Sequence, residues 1–197
     1  MIFDISRPLE ERTAVFPGDV AFSRSTTMSI ESGDPCNVSS VCGSSHAGTH
    51  VDLPFHFSDD KSVPGLDVFF GPAVVIETGD WTELASKSVP KGLRVLFRTT
   101  NSRTPFDYFD KDFFCISSDA VRWLISAGAV LVGVDAPSVD PVTSKDLPNH
   151  HALRNANIAI LENLDLSQVA PGDYELCALP LKIPGADATW VRAVLRR

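Results

Sequence analysis

The run SSDAVRWLISAGAVLVGVD, residues 117–135, decides the fold class. Ser117, Ser118 and Asp119 each offer a side-chain oxygen to the free N–H groups at a helix start, and Val121, Leu124 and Ile125 follow at helical spacing. Gly128 suits the left-handed residue that closes a helix. The next residues, VLVGVD, are apolar almost throughout, the pattern of a strand covered on both faces. A helix running directly into a doubly buried strand predicts an α/β fold.

Outward from this unit, short β-type runs recur at 1–5, 26–30, 38–43, 73–78, 94–98, 130–134, 158–161, 174–179 and 191–195, most of them bounded by Gly, Pro or Asp. A shorter helix is expected from about His150 to Asn155, leading into the strand IAILE. There are no repeats, low-complexity tracts or Gly/Ser linkers, and 197 residues suit one core. The prediction is a single domain over residues 1–197, built on a mixed and partly curled β-sheet or barrel with few helices.

Composition narrows the function classes. With 44% hydrophobic and 21% charged residues, the chain reads as an ordinary soluble globule. A net charge of −8 with no Lys/Arg stripe argues against nucleic acid or anionic membrane as partners. The opening MIFDISRPLEERTAV lacks the apolar segment of a signal peptide, and no run approaches the ~18 apolar residues of a membrane span. Cys36, Cys42, Cys115 and Cys177 form no C-x-x-C pair. The apolar settings FFCIS and YELCALPL predict buried, reduced thiols at Cys115 and Cys177, in a cytoplasmic protein.

The chemistry concentrates in HAGTHVDLPFHF, residues 46–57. All five histidines fall in two clusters, His46, His50 and His56, then His150 and His151. Packing histidines would be spread more evenly, whereas clustered imidazoles beside carboxylates suit a metal. Pro54 breaks a helical reading of the first cluster, so it is read as extended, with His46, Gly48, His50, Asp52, Pro54 and His56 on one face. In a straight strand His46 and His50 would stand about 13 Å apart, so the chain must curve, and Gly48 is the residue able to bend there.

In the second cluster, His150 or His151 and Glu162 are the candidates. Glu162 ends an apolar strand, where a carboxylate is costly to bury unless paired or metal-bound. Three imidazoles (His46, His50, His150) with Asp52 and Glu162 as bridges supply about seven metal bonds, enough with a shared water-derived ligand for two zinc ions. One ion on His46, His50 and Asp52 alone is the simpler alternative. His56, six residues beyond His50, suits either a proton shuttle or a further ligand.

The run His46-Ala-Gly-Thr-His50-Val-Asp52-Leu-Pro54-Phe-His56-Phe57 resembles the signature of the cyclase-like metal-dependent hydrolases, and especially of the bacterial kynurenine formamidases (arylformamidases). The likeness extends to DISRPLEERTAVFPGD, to GVDAPSVDPVTSKDLPNHHAL and to DYELCALPLKIPGADATWVRAVLR. It implies a swivelling β/β/α fold and hydrolysis of N-formyl-L-kynurenine to L-kynurenine and formate. It implies Zn2+, two per subunit, with His46, His50 and Asp52 on one ion and Asp52, His150 and Glu162 on the other. It also implies His56 as general acid/base and a homodimer or dimer of dimers. Mn2+ or Co2+ fit the same ligands.

One position departs from the family. Phe16, in Val15-Phe16-Pro17-Gly18-Asp19, stands where the formamidases usually carry a substrate-contacting Trp; it keeps an aromatic face without the indole N–H.

The departure supports a rival enzyme, one that opens a cyclic amide such as isatin. A non-catalytic metal-binding module is the rival of another class, although structural zinc sites are usually thiolate-rich. A cupin-type oxygenase fits poorly, since its histidines usually come two apart. The sequence names no group for the substrate's amino-acid carboxylate: Arg98 and Arg103 lie near the polar loop TTNSRTPF but read first as surface charges.

Overall fold

The computed structural model describes residues 1–197. Eleven strands form in chain order: β1 (Ile2–Asp4), β2 (Ser23–Met28), β3 (Val38–Cys42), β4 (His50–Asp52), β5 (Phe70–Glu77), β6 (Arg94–Arg98), β7 (Leu131–Val134), β8 (Ala159–Glu162), β9 (Gly172–Cys177), β10 (Ala188–Trp190) and β11 (Val194–Arg196). Two helices accompany them, α1 (Ser118–Ala127) and α2 (Pro148–Asn155).

The helix-to-strand unit that opened the sequence forms as expected. Ser117 Oγ accepts the Ala120 N–H, and Gly128 closes α1 at φ 69°, where a Cβ would be strained. All four residues of β7 are buried.

Nine strands form one sheet in the order β1-β11-β9-β5-β6-β7-β8-β4-β10. Its centre, β5-β6-β7-β8, is parallel, and antiparallel pairs flank it on both sides. The mixed, curled sheet with few helices is therefore present, as an open half-barrel with β1 and β10 at its edges. The N-terminal segment bends across the curl. Ile5 donates to Ala193 O on one side while its carbonyl accepts from Asp165 N–H on the other.

Alternation sorts the side chains into two cores. On the concave face lie Leu96, Leu131, Leu161, Val51, Leu164 and Leu176. On the other face Val95, Phe97, Val132, Val134 and Ile160 meet α1 and α2 through Leu124 and Leu153. Each fully buried Leu or Phe adds roughly 1.5–3 kcal/mol over leaving it in water.

Several expectations are corrected. The strand β10 is marked by no run in the sequence, whereas β4 lies within the segment read as extended. His46–His56 is not one extended face: only His50–Asp52 is strand, and Pro54–His56 turns into a 3-10 helix. The bend falls at Gly48, as the spacing required, at φ 63°. The run at 26–30 is shifted, pairing instead as Ser23–Met28 with β3 in an exposed ribbon interrupted by a bulge. The second helix begins two residues early, at Pro148. Cys115 and Cys177 are half-buried rather than buried, and all four thiols are free. No helix is long and apolar enough to cross a membrane.

Gly133, in the middle of β7, faces the concave core. A Cβ there would overlap Leu96 Cδ2 and come within 2.8 Å of Leu164 Cδ1. Gly133→Ala is expected to lower stability by about 1–3 kcal/mol through overpacking, read as a shift of the urea midpoint at constant slope.

Candidate metal centre

The register of β4 on β8 sets His50 directly opposite Glu162, with Asp52 two residues along on the same face. Val51 and Leu161 point to the concave core, so alternation directs His50, Asp52 and Glu162 together to the other side. The Gly48 bend brings His46 back over this pair. The first turn of α2 adds His150. His50, Asp52, His150 and Glu162 are all buried.

Distances within the cluster are short. Asp52 Oδ1 lies 3.1 Å from His46 Nδ1 and 3.3 Å from His50 Nε2. Asp52 Oδ2 lies 3.3 Å from His150 Nε2, and Glu162 Oε2 lies 3.4 Å from His50 Nε2. His46 Nδ1 and His50 Nε2 are 3.2 Å apart.

The outer nitrogens decide what the inner ones present. His50 Nδ1 faces the Gly48 carbonyl oxygen at 2.9 Å, which only accepts, so Nδ1 carries the hydrogen of the neutral ring. His150 Nδ1 donates to Asp140 Oδ2 at 2.7 Å, and His46 Nε2 faces Asp187 Oδ2 at 3.3 Å. All three rings therefore direct a lone pair inward, onto two carboxylates. Asp52 Oδ1 is buried without a hydrogen-bond partner. Such a convergence of acceptors fits a cation, and the orienting acceptors behind each imidazole are the usual companions of metal ligands. Two groups, His50 with Asp52 and Glu162, and His46 with Asp52 and His56, each place their ligand atoms within 4.8 Å of one another.

Asp140 does two things at once. Its carboxylate accepts the Asn149 and His150 N–H groups, at 3.1 Å each, capping a helix whose own N-cap, Leu147, has no side chain able to do so. The same carboxylate fixes the His150 ring.

Electrostatics agree with the geometry. Burial works against charge on His50 and His150, but for His50 the facing Asp52 and Glu162, and for His150 Asp140 and Asp52, outweigh it and raise each pKa to about 10. Burial also opposes the Asp52 anion, yet the His150, His46 and His50 rings hold its pKa well below the usual range. Glu162 moves upward, through burial and the Asp52 charge. In the metal-free protein, protons on His50 and His150 thus offset the carboxylate charge.

His56 stands apart. Its ring centroid is 4.1 Å from that of His46, in a cleft of about 220 Å³ beside the cluster. The inner part of the ring is crowded even though the residue is exposed. That desolvation, with the neighbouring imidazoles, lowers its pKa to about 4.

Phe16 lines the same cleft and packs edge-to-face on Phe109, at 5.4 Å between centroids. His151 is exposed and outside the cluster. Arg98 and Arg103 line a different polar hollow with Glu77 and Ser167, away from the histidines. Sequence reading missed Asp140, Asp187 and Arg7. Asp140 alone had a visible signal, an acidic residue closing the short loop after β7. Asp187 reaches His46, and Arg7 the cleft, only through chain reversals that no local pattern announces.

Fold and centre together define a metal-dependent hydrolase of the cyclase type, and the chain belongs to that family: the Cyclase family model matches residues 3–141. Its relatives include the kynurenine formamidases of Paracidovorax citrulli, 41% identical over 100% of this chain and 96% of that protein, and of Bacillus cereus, 41% identical over 98% and 96%. A solved structure described as a "potential metal-dependent hydrolase with cyclase activity" superposes with a TM-score of 0.85 at 28% identity, covering 99% of this chain and 98% of that one. Isatin hydrolase A from Ralstonia solanacearum shares the fold, at TM-score 0.79 and 22% identity over 99% and 91%.

Two measurements check the centre. Because the folded-state pKa values of His50 and His150 are raised from 6.5 to about 10, their attraction to the carboxylates is full below about pH 6.5 in the metal-free protein and is lost as pH rises through about 10. Zinc added to chelated protein at pH 8 should therefore release protons, seen as a buffer-dependent heat in titration calorimetry. Asp140→Asn should weaken zinc binding roughly 10- to 100-fold in a chelator competition, since His150 loses its orienting anion.

Proposed function

We propose that this chain hydrolyses N-formyl-L-kynurenine to L-kynurenine and formate, and that His46, His50, Asp52, His150 and Glu162 would hold the two zinc ions the reaction uses. The carrying observation is the set of inward lone pairs on three oriented imidazoles and two buried carboxylates, opening onto an aromatic cleft. The full-length likeness to kynurenine formamidases supports the substrate. An imidazole and carboxylate ligand set without thiolate suits zinc in an open, catalytic site. When bound, zinc supplies a nucleophilic water at neutral pH and a Lewis acid for the formyl oxygen.

The chain's own groups do the rest. Phe16 and Phe109 form an aromatic wall against which the aryl ring rests, which orients the formamide toward the histidines. His56 accepts a proton as water adds to the formyl carbon. It returns that proton to the aniline nitrogen as the C–N bond breaks, so the amine leaves neutral. The distance to His46 would also allow His56 to be a ligand. Proton transfer is favoured because His56, unlike the other three, has no acceptor holding its ring, which leaves it free to load and unload a proton. The same reading carries a homodimer or dimer of dimers, and a cytoplasmic location in keeping with four free thiols.

His56→Asn should lower kcat by about 10²- to 10⁴-fold while metal content stays that of the wild type. An unchanged rate with metal retained would remove His56 from the chemistry. Incubation with N-formylkynurenine and with isatin tests the substrate: turnover of isatin alone overturns it. Loss of folding on chelation, with no hydrolysis beforehand, would favour a structural metal module instead.

A further inference from the structure

Resting on that reading, one question about the substrate stays open: what holds its amino-acid end. Among the residues lining the cleft, Arg7 is the single Lys or Arg. The other candidates, Arg98 and Arg103, face a separate hollow, and Arg98 is engaged there by Val169 O at 3.0 Å.

Arg7 is built into the centre rather than laid over it. Its backbone N–H donates to Thr49 Oγ1 at 2.8 Å, and the Thr49 hydroxyl donates to Asn163 O at 2.6 Å. Thr49 precedes His50 and Asn163 follows Glu162, so the Arg7 backbone is tied one residue away from two of the candidate ligands. The guanidinium is steadied by two backbone carbonyls, with Nη1 donating to Thr104 O at 2.9 Å and Nη2 to Asn101 O at 3.2 Å. Those carbonyls belong to a turn that Asp135 pins through Thr99 and Ser102.

What the guanidinium lacks is an anion. No carboxylate lies within ion-pair distance; Asp165 and Asp135 act on it only from farther away, and Asp135 is already surrounded by donors. Nε–H is buried with no acceptor. Of five guanidinium N–H groups, the two carbonyls occupy two, which leaves a rigid cation with unused donors in the wall of the cleft. An uncompensated, partly buried charge of this kind is costly unless a ligand completes it.

The geometry points to Arg7 as the anchor for the carboxylate of the substrate, so that the site selects aryl formamides bearing an anionic, amino-acid end over neutral ones. Asp19 and Asp110 on the same cleft suit the ammonium of that end.

The test compares two product-like ligands on zinc-loaded protein by calorimetry: L-kynurenine, and 2-aminoacetophenone, which lacks the amino-acid end. The wild type should bind L-kynurenine at least about tenfold more tightly. Arg7→Gln should weaken L-kynurenine by about 10- to 100-fold and leave 2-aminoacetophenone within about twofold, with a raised KM for N-formylkynurenine. Arg7→Lys, which keeps the charge but not the fork, should fall between them, and it carries the test if thermal melting shows Arg7→Gln to be misfolded. Equal wild-type affinity for the two ligands, or an equal loss of both in the variant, overturns the assignment. A binding gap that depends on Arg7 in a protein unable to hydrolyse N-formylkynurenine would sink the proposed substrate and leave Arg7 as the anchor of another aryl carboxylate.

Discussion

Five buried or half-buried side chains direct lone pairs into one cluster, and much of the surrounding structure exists to hold them there. Left to themselves, three neutral imidazoles and two carboxylates would repel or turn away. Each ring is instead held from behind by an acceptor: Gly48 O, Asp140 or Asp187. The carboxylates are fixed by register, and Glu162 also accepts the Val139 N–H at 2.8 Å. An arrangement this strained in its charges makes sense around a cation, and protons on His50 and His150 offset the carboxylate charge when no metal is present.

The curled sheet is what makes so polar a cluster affordable in a small protein. Because side chains alternate along each strand, β4 and β8 contribute Val51 and Leu161 to the concave core while sending His50, Asp52 and Glu162 to the opposite face. The apolar half of each strand stabilises the polar half. The helices complete the arrangement from the second core, and α2 brings His150 in on its first turn, where Asp140 serves both the helix and the ring.

Chemistry and selectivity then separate in space. The metal cluster lies on the sheet, and the cleft above it is lined by loops carrying Phe16, Phe106, Phe109 and Arg7. Isatin hydrolase A shares the fold at 22% identity, and loops are the parts of a fold that vary most readily. Phe16 belongs to the wall of the cleft rather than to the cluster.

The histidine run was legible because its spacing, its proline and its single glycine are local. His46 and His50 could meet only if the chain turned at Gly48, and it does. The helix at Ser117–Gly128 and the buried strand after it were equally readable, since caps and apolar runs are written in neighbouring residues. The strand at Ala188–Trp190 was not, because its three residues carry no apolar run of their own. Nor could sequence place Asp140 behind His150, Asp187 behind His46, or Arg7 against the turn at Asn101–Thr104. Those contacts join segments up to 141 residues apart, and only the closing of the sheet brings them together. Residue types and local spacing were enough to indicate a metal and to nominate side chains for it; the tertiary structure alone decided which way each imidazole points and which cation faces the cleft, because both depend on partners distant in the chain.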